Sequence, residues 1–302
     1  MLPHFPPPPP SSAGWPLWLD TCRVEDSALA DAYDRTPMPY RAGIKQCLAL
    51  CQSVYGESPE DLLHATAHSG QGFWHVLRES AAPWALFAVT PAYRAPARLA
   101  AAIMPAILAR VPRIALLCLG GMPHESVRAV LELAGVEDSF IVSVDQADTL
   151  LRELQAQQGR QETPAAGRLC LLHDGNALAS LRLAAAALGI PCMEEAAPPR
   201  LALDAAAEVD SNALIFAHGD AGEQARTFSA AEELPACDAC FAAPEHLGWL
   251  SAGLPLILGP DMEGCWLHPH LHPDFFRNRA RTAGLHLPAT DFFGGGGYEG
   301  AE

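Results

Sequence analysis

The chain has 302 residues, half of them hydrophobic and 18% charged, the balance of a globular protein with one large domain or two medium ones. Nineteen basic residues against 35 acidic ones give a formal charge of −16. A surface this acidic repels phosphate backbones and anionic lipids, so nucleic acid and membranes are not expected partners.

Nine scattered cysteines, an odd number in a long chain, fit a reducing, cytoplasmic compartment better than a disulfide framework. Residues 1–14 form a proline-rich tract, with Pro6 to Pro10 consecutive, and are expected to be an extended, disordered tail; residues 294–302 are expected to be disordered too. The first segment has no Lys or Arg and no apolar run, so it does not read as a signal peptide. No uncharged apolar stretch reaches the roughly 18 residues that a membrane helix needs.

Tyr40 to Cys51 and Ser58 to His68 read as helices, the second opened by Ser58-Pro59-Glu60-Asp61 with its capping Ser, early Pro and first-turn acids. From Trp84 short apolar runs alternate with helix-length segments. Strands are expected at Trp84–Val89, Arg113–Gly120, Asp138–Val144, Arg168–His173 and Ile190–Met193. Helices are expected at Ala97–Arg110 (kinked at Pro105), Pro123–Ala134, Asp145–Gln157 and Asn176–Leu188. Continuously apolar strands are buried on both faces, which predicts a parallel, doubly wound α/β sheet. A second block repeats the rhythm: a strand at Ala213–His218, a helix to Ala230, a strand at Ala239–Ala242, a helix at Pro244–Ser251 and a strand at Leu254–Gly259. The expected division is a Rossmann-like nucleotide-binding domain over 84–204 and a smaller α/β domain from 15–83 plus 205–293.

Ligands of doubly wound sheets bind outside the carboxyl ends of the strands. The chain has no G-x-G-x-x-G and no Walker loop; Thr90–Tyr93 contains no glycine, and Gly120-Gly121-Met122-Pro123 is a tight turn. In His173-Asp174-Gly175-Asn176, the glycine permits close backbone approach, and Asn176 either caps the next helix or meets a ligand. In Ala243-Pro244-Glu245-His246-Leu247, a carboxylate and an imidazole are adjacent, both able to move protons near neutrality. They cooperate only if both face one pocket; otherwise they are two polar residues at the start of a surface helix. Cys237-x-x-Cys240 lacks the second pair of a zinc site. His268-Pro-His270-Leu-His272-Pro-Asp274 has a spacing suited to a solvated, extended loop rather than a preformed metal cage.

The segments 94–120, 127–151, 173–177 (HDGNA), 241–250 (FAAPEHLGWL) and 256–260 (LILGP) occur in the order seen in histidinol dehydrogenase, and the chain resembles that family from about Trp84 to Pro260. The resemblance implies two Rossmann-like domains of the aldehyde dehydrogenase type, a homodimer, a small-molecule substrate and NAD as cofactor. It assigns NAD contacts to Phe87 (a Tyr in the family), Gln146 and Asn176. It assigns water activation to Glu245 and proton transfer to His246. The family's substrate loop is replaced by Ala197-Pro198-Pro199-Arg200. Its zinc-ligand segment is best matched by Ala206-Ala207-Glu208-Val209, and its aspartate segment leaves only an echo around His286. Zinc is therefore not expected, since a zinc site needs three or four placed ligands. Three readings stay open: an NAD-linked oxidoreductase for a different, non-chelated substrate; a catalytically inactive homologue that binds or regulates; and histidinol oxidation without zinc.

Overall fold

A two-turn 3-10 segment (Leu17–Cys22) leads into helices α1 (Asp26–Arg35) and α2 (Met38–Tyr55), then antiparallel strands β1 (Leu62–His68) and β2 (Phe73–Ala81). The computed structural model describes residues 14–56, 61–68, 73–158, 165–173, 175–250 and 253–285. The expected Pro-rich and C-terminal tails fall almost wholly outside these residues, as do Asp174 and His286.

The alternating block follows as β3 (Ala85–Val89), α3 (Pro96–Leu108), β4 (Ile114–Leu119), α4 (Glu125–Ala134), β5 (Asp138–Val142), α5 (Val144–Gln158), β6 (Arg168–Leu172), α6 (Ala179–Ala187) and β7 (Cys192–Glu195). These strands form one parallel sheet in the order β5-β4-β3-β6-β7. This is the doubly wound arrangement expected from the apolar runs; β3 and β6 are buried at every position. Alternate residues of β3 serve opposite faces: Phe87 and Val89 join one core, Leu86 and Ala88 the other.

A second parallel sheet is built from β8 (Leu201–Asp204), β9 (Arg226–Phe228), β10 (Ala239–Phe241) and β11 (Ile257–Leu258), in the order β11-β10-β8-β9. Helices α7 (Ser211–His218) and α8 (Asp220–Glu223) lie between β8 and β9, and a 3-10 turn (Pro244–His246) with α9 (Leu247–Leu250) follows β10. Strand β12 (Arg277–Leu285) returns to pair with β2, giving a three-stranded antiparallel sheet β1-β2-β12. One apolar core joins the two parallel sheets: Phe87, Ile103 and Leu116 pack in the same cluster as Leu214, Phe241, Leu258 and Trp266.

Three expectations are corrected. Leu62–His68 is a strand, not a helix, because it pairs residue by residue with β2, from Leu62 opposite Glu79 to His68 opposite Phe73; pairing across strands overrides a local helix-start signal. Ala213–His218 is helical, because Asp210 caps it by accepting the amides of Asn212 and Ala213. The strand expected there is instead β8, so residues 201–204 belong to the second sheet. The supposed helix running to Ala230 contains β9.

Phe87 lies at the centre of β3, with 0% of its surface exposed and its ring 6.1 Å from that of Phe276. Phe87→Ala should therefore destabilise the fold by about 3–5 kcal/mol in urea unfolding. A loss below about 1 kcal/mol would show that the ring is not a core element.

Candidate functional site

In the first sheet the strand order reverses between β3 and β6, the place where doubly wound folds hold dinucleotides. The preceding loop, Thr90–Ala95, has no glycine, and α3 opens on Pro96 without a capping side chain. Arg98, in the first turn of α3, is 1% exposed. Its Nη1 meets Oε1 of Glu195 at 2.5 Å. Glu195 is the last residue of β7, and β6 lies between β3 and β7, so this ion pair crosses the carboxyl end of β6.

The pair is enclosed. The Tyr93 ring, also buried, lies 5.3 Å from the guanidinium carbon. His268 Nε2 donates to the Arg98 carbonyl at 2.8 Å, and its Nδ1 lies 3.4 Å from Trp266 Nε1 and 3.3 Å from Glu195 Oε2. Burial pushes the His268 pKa down, while Glu195 pulls it back in part. A neutral ring fits its partners, with Nε2 as donor and Nδ1 accepting from the indole.

The three residues assigned to NAD do not meet at this crevice. Phe87 is core. Gln146 Oε1 accepts the Ser143 amide at 2.8 Å while Ser143 Oγ accepts the Gln146 amide at 3.2 Å, a reciprocal cap at the start of α5. Asn176 is exposed, one residue beyond Gly175, whose φ is +110° and whose amide donates to the Ala196 carbonyl at 2.6 Å. Gln146 follows β5 and Asn176 follows β6; these strands are three places apart, roughly 14 Å. The side chains at the switch point between β3 and β6 are those of Arg98 and Glu195.

Nor does the donor set fit zinc. Among the described residues no group of three or more His, Cys, Asp or Glu side chains is placed to hold a metal. Ala206–Val209 lies on the loop after β8 and offers one donor, the exposed Glu208. The three loop histidines diverge: His268 is buried in the crevice, His270 is exposed, and His272 Nδ1 accepts the Asp274 amide at 3.2 Å. Burial raises the Cys240 thiol to about 12, and the Cys237 thiol also lies above its ordinary value, so neither is a ready thiolate.

The second sheet carries the other notable arrangement. Its order reverses between β8 and β10. Asp204 ends β8, and Glu245 and His246 follow β10. Asp204 Oδ2 accepts His246 Nδ1 at 2.5 Å and the Ala243 amide at 3.1 Å; Oδ1 accepts the Ala206 amide at 3.0 Å. Burial pushes the Asp204 carboxyl up, but the Ala206 amide, the His246 ring and the Ala243 amide outweigh it and hold the pKa below the usual value. The bond assigns the proton to Nδ1 and leaves Nε2 as the basic nitrogen on a side chain that is 30% exposed. Glu245 is exposed on the same turn. Sequence reasoning missed Asp204; the available signal was a lone carboxylate closing the apolar run Leu201-Ala202-Leu203.

Among solved structures, histidinol dehydrogenase from Elizabethkingia anophelis aligns over 87% of this chain and 77% of its own, at 11% identity and a TM-score of 0.53. The chain has a histidinol dehydrogenase-like fold. Looser matches include methylmalonate-semialdehyde dehydrogenase from Oceanimonas doudoroffii (TM-score 0.42, 11% identity, 88% of this chain and 90% of that one) and succinate-semialdehyde dehydrogenase from Burkholderia pseudomallei (0.43, 12%, 82% and 77%). No protein-family model and no curated protein matches the sequence. No helix among the described residues is long and apolar enough to cross a membrane.

Within this histidinol dehydrogenase-like fold His218, at the end of α7, is fully buried; Nε2 donates to the Glu263 carbonyl at 3.0 Å, and the ring packs edge-on against Phe241 and Trp266. Burial first, then the charge of Arg98, pushes its pKa down to about 3. As pH falls below the ordinary value of 6.5 the unfolded chain takes up a proton that the folded chain refuses, so stability present above 6.5 is lost progressively down to about 3. From about pH 7 to about pH 5 this group should cost about 2 kcal/mol in urea unfolding, a slope that His218→Gln removes. An unchanged slope in the variant would mean that the ring titrates freely.

Proposed function

We propose that this chain is a small-molecule-binding relative of histidinol dehydrogenase that does not work as an NAD-linked dehydrogenase. The observation that supports this is the Arg98–Glu195 pair, enclosed by Tyr93 and His268 at the reversal point of the first sheet. A pyrophosphate entering there must separate Arg98 from Glu195, and leaving one buried charge unpaired costs about 3–5 kcal/mol. The crevice already holds an anion, and it belongs to the chain itself. The net charge of −16 favours a small molecule over a polyanion as partner.

A second reading, an oxidoreductase with His246 as proton acceptor and Glu245 beside it, is favoured by the short Asp204–His246 bond. An aspartate that holds Nδ1–H fixes the tautomer, with the lone pair on Nε2.

Calorimetric titration of the full chain with oxidised NAD separates the two. The proposal expects no binding heat up to millimolar NAD, in the wild type and in Asn176→Ala alike. Saturable binding at micromolar to sub-millimolar Kd, weakened in Asn176→Ala, would overturn it in favour of the oxidoreductase.

A further inference from the structure

The three-stranded antiparallel sheet differs in charge from the rest of the chain, and neither functional reading uses it. Residues 62–81 and 277–285 hold Arg78, Arg277, Arg279 and Arg281 against Glu79 alone, so this part carries +3 in a chain of −16. Glu79 holds two of the four: Arg279 Nε lies 2.7 Å from Oε1, and Arg277 Nε lies 3.9 Å from Oε2. Arg279 also meets Asp274 Oδ1 at 3.1 Å. Arg78 and Arg281 are exposed, and among the described residues neither takes part in an ion pair or a side-chain hydrogen bond.

Both unpaired arginines stand at one edge. Strand β12 is an outer strand of the sheet, with Ala280 opposite Arg78 and Arg281 opposite Leu77. Successive residues of a strand point to opposite faces, and residues opposite one another share a face. Arg281 is therefore on one face at the edge itself. Arg78 is on the other face one strand in, with only the Ala280 methyl between it and the edge. Residues 279–283 are exposed. Beyond the ladder to β2, no backbone group of residues 279–285 is hydrogen-bonded among the described residues. Such a row of open donors and acceptors is a template for a further strand. The edges of the parallel sheets offer less. Strands β9 and β11 have three and two residues, β7 has four and ends in two glutamates, and β5 is covered where Arg23 bridges Phe140 and the Val24 amide donates to the Ser139 carbonyl at 2.8 Å. Strand β1 has an open edge too, but no charged residue from Leu62 to His68.

We infer that the β12 edge binds an extended acidic segment of another protein as a fourth strand, with Arg281 and Arg78 as the counter-charges of two adjacent carboxylates. Main-chain bonds to residues 279–285 give the affinity, and the side chains on the two faces give the selectivity. A carboxylate placed opposite Arg281 meets it directly. The next one, opposite Ala280, faces Arg78 across two strand spacings, roughly 10 Å between backbones, which an arginine and a glutamate side chain span together. A basic newcomer is repelled by the same two residues, as charged edges repel strands of their own sign. The rest of the chain carries −19 and repels an acidic partner, which leaves this sheet as the place for it.

The probe is a blocked octapeptide of alternating threonine and valine with two glutamates at its centre and an uncharged fluorescent label. Fluorescence anisotropy with the full chain should show binding at sub-millimolar Kd or tighter, weakened by added salt. The same peptide with lysines in place of the glutamates should not bind. A third peptide, with proline at every position but the glutamates, keeps the charge and lacks the amides of a ladder; it should not bind either. Arg281→Glu and Arg78→Glu, both at exposed positions, should each weaken the glutamate peptide by about tenfold or more. No binding at millimolar peptide, equal affinity for the proline peptide, or unchanged affinity in both variants overturns the inference. Sedimentation of the chain alone supplies a last check: a dimer that Arg281→Glu dissociates would make a second copy the occupant and overturn the assignment to another protein.

Discussion

The buried pair between Arg98 and Glu195 constrains the rest of the molecule. A guanidinium and a carboxylate taken out of water need close contact and further hydrogen bonds to offset their desolvation. The fold supplies the contact from α3, which gives Arg98, and β7, which gives Glu195; the loop after β3 adds the Tyr93 ring, and the segment after β11 adds His268, which donates to the Arg98 carbonyl. That last segment also carries Trp266, which packs against His218 at the end of α7. Through His268, the segment after β11 is thus held at the carboxyl end of the first sheet.

The two parallel sheets treat their reversal points differently. In the first, charge is paired inside the chain and sealed under aromatic rings. In the second, Asp204 is buried while the His246 side chain is 30% exposed.

Much of the fold was legible because burial on both faces leaves an unambiguous mark. The run at Trp84–Val89 and residues 169–172 are apolar throughout, and they form the central strand β3 and its neighbour β6. Where a face is exposed the mark fades. Strand β1 is largely exposed and stands only by pairing with β2, so its local helix-start signal misled. Ala213–His218 failed for another reason: a short apolar run suits a buried helix as well as a strand, and Asp210 decides between them. At the sites, Glu245 and His246 were visible as adjacent proton carriers, but Asp204 lies 42 positions away from His246 and only the parallel pairing of β8 with β10 brings it in. Arg98 was hidden for the same reason, since Glu195 is 97 positions distant. Gln146 was assigned to a ligand only through the resemblance, and its spacing from Ser143 is that of a helix cap.

The most direct measurement is a double-mutant cycle on Arg98 and Glu195, using Arg98→Met and Glu195→Gln, singly and together, in urea unfolding. The account predicts strongly non-additive losses, with a coupling energy of about 2 kcal/mol or more, because each single variant strands a buried charge or its partner. Additive losses within about 0.5 kcal/mol would contradict it, since the two side chains would then not hold each other.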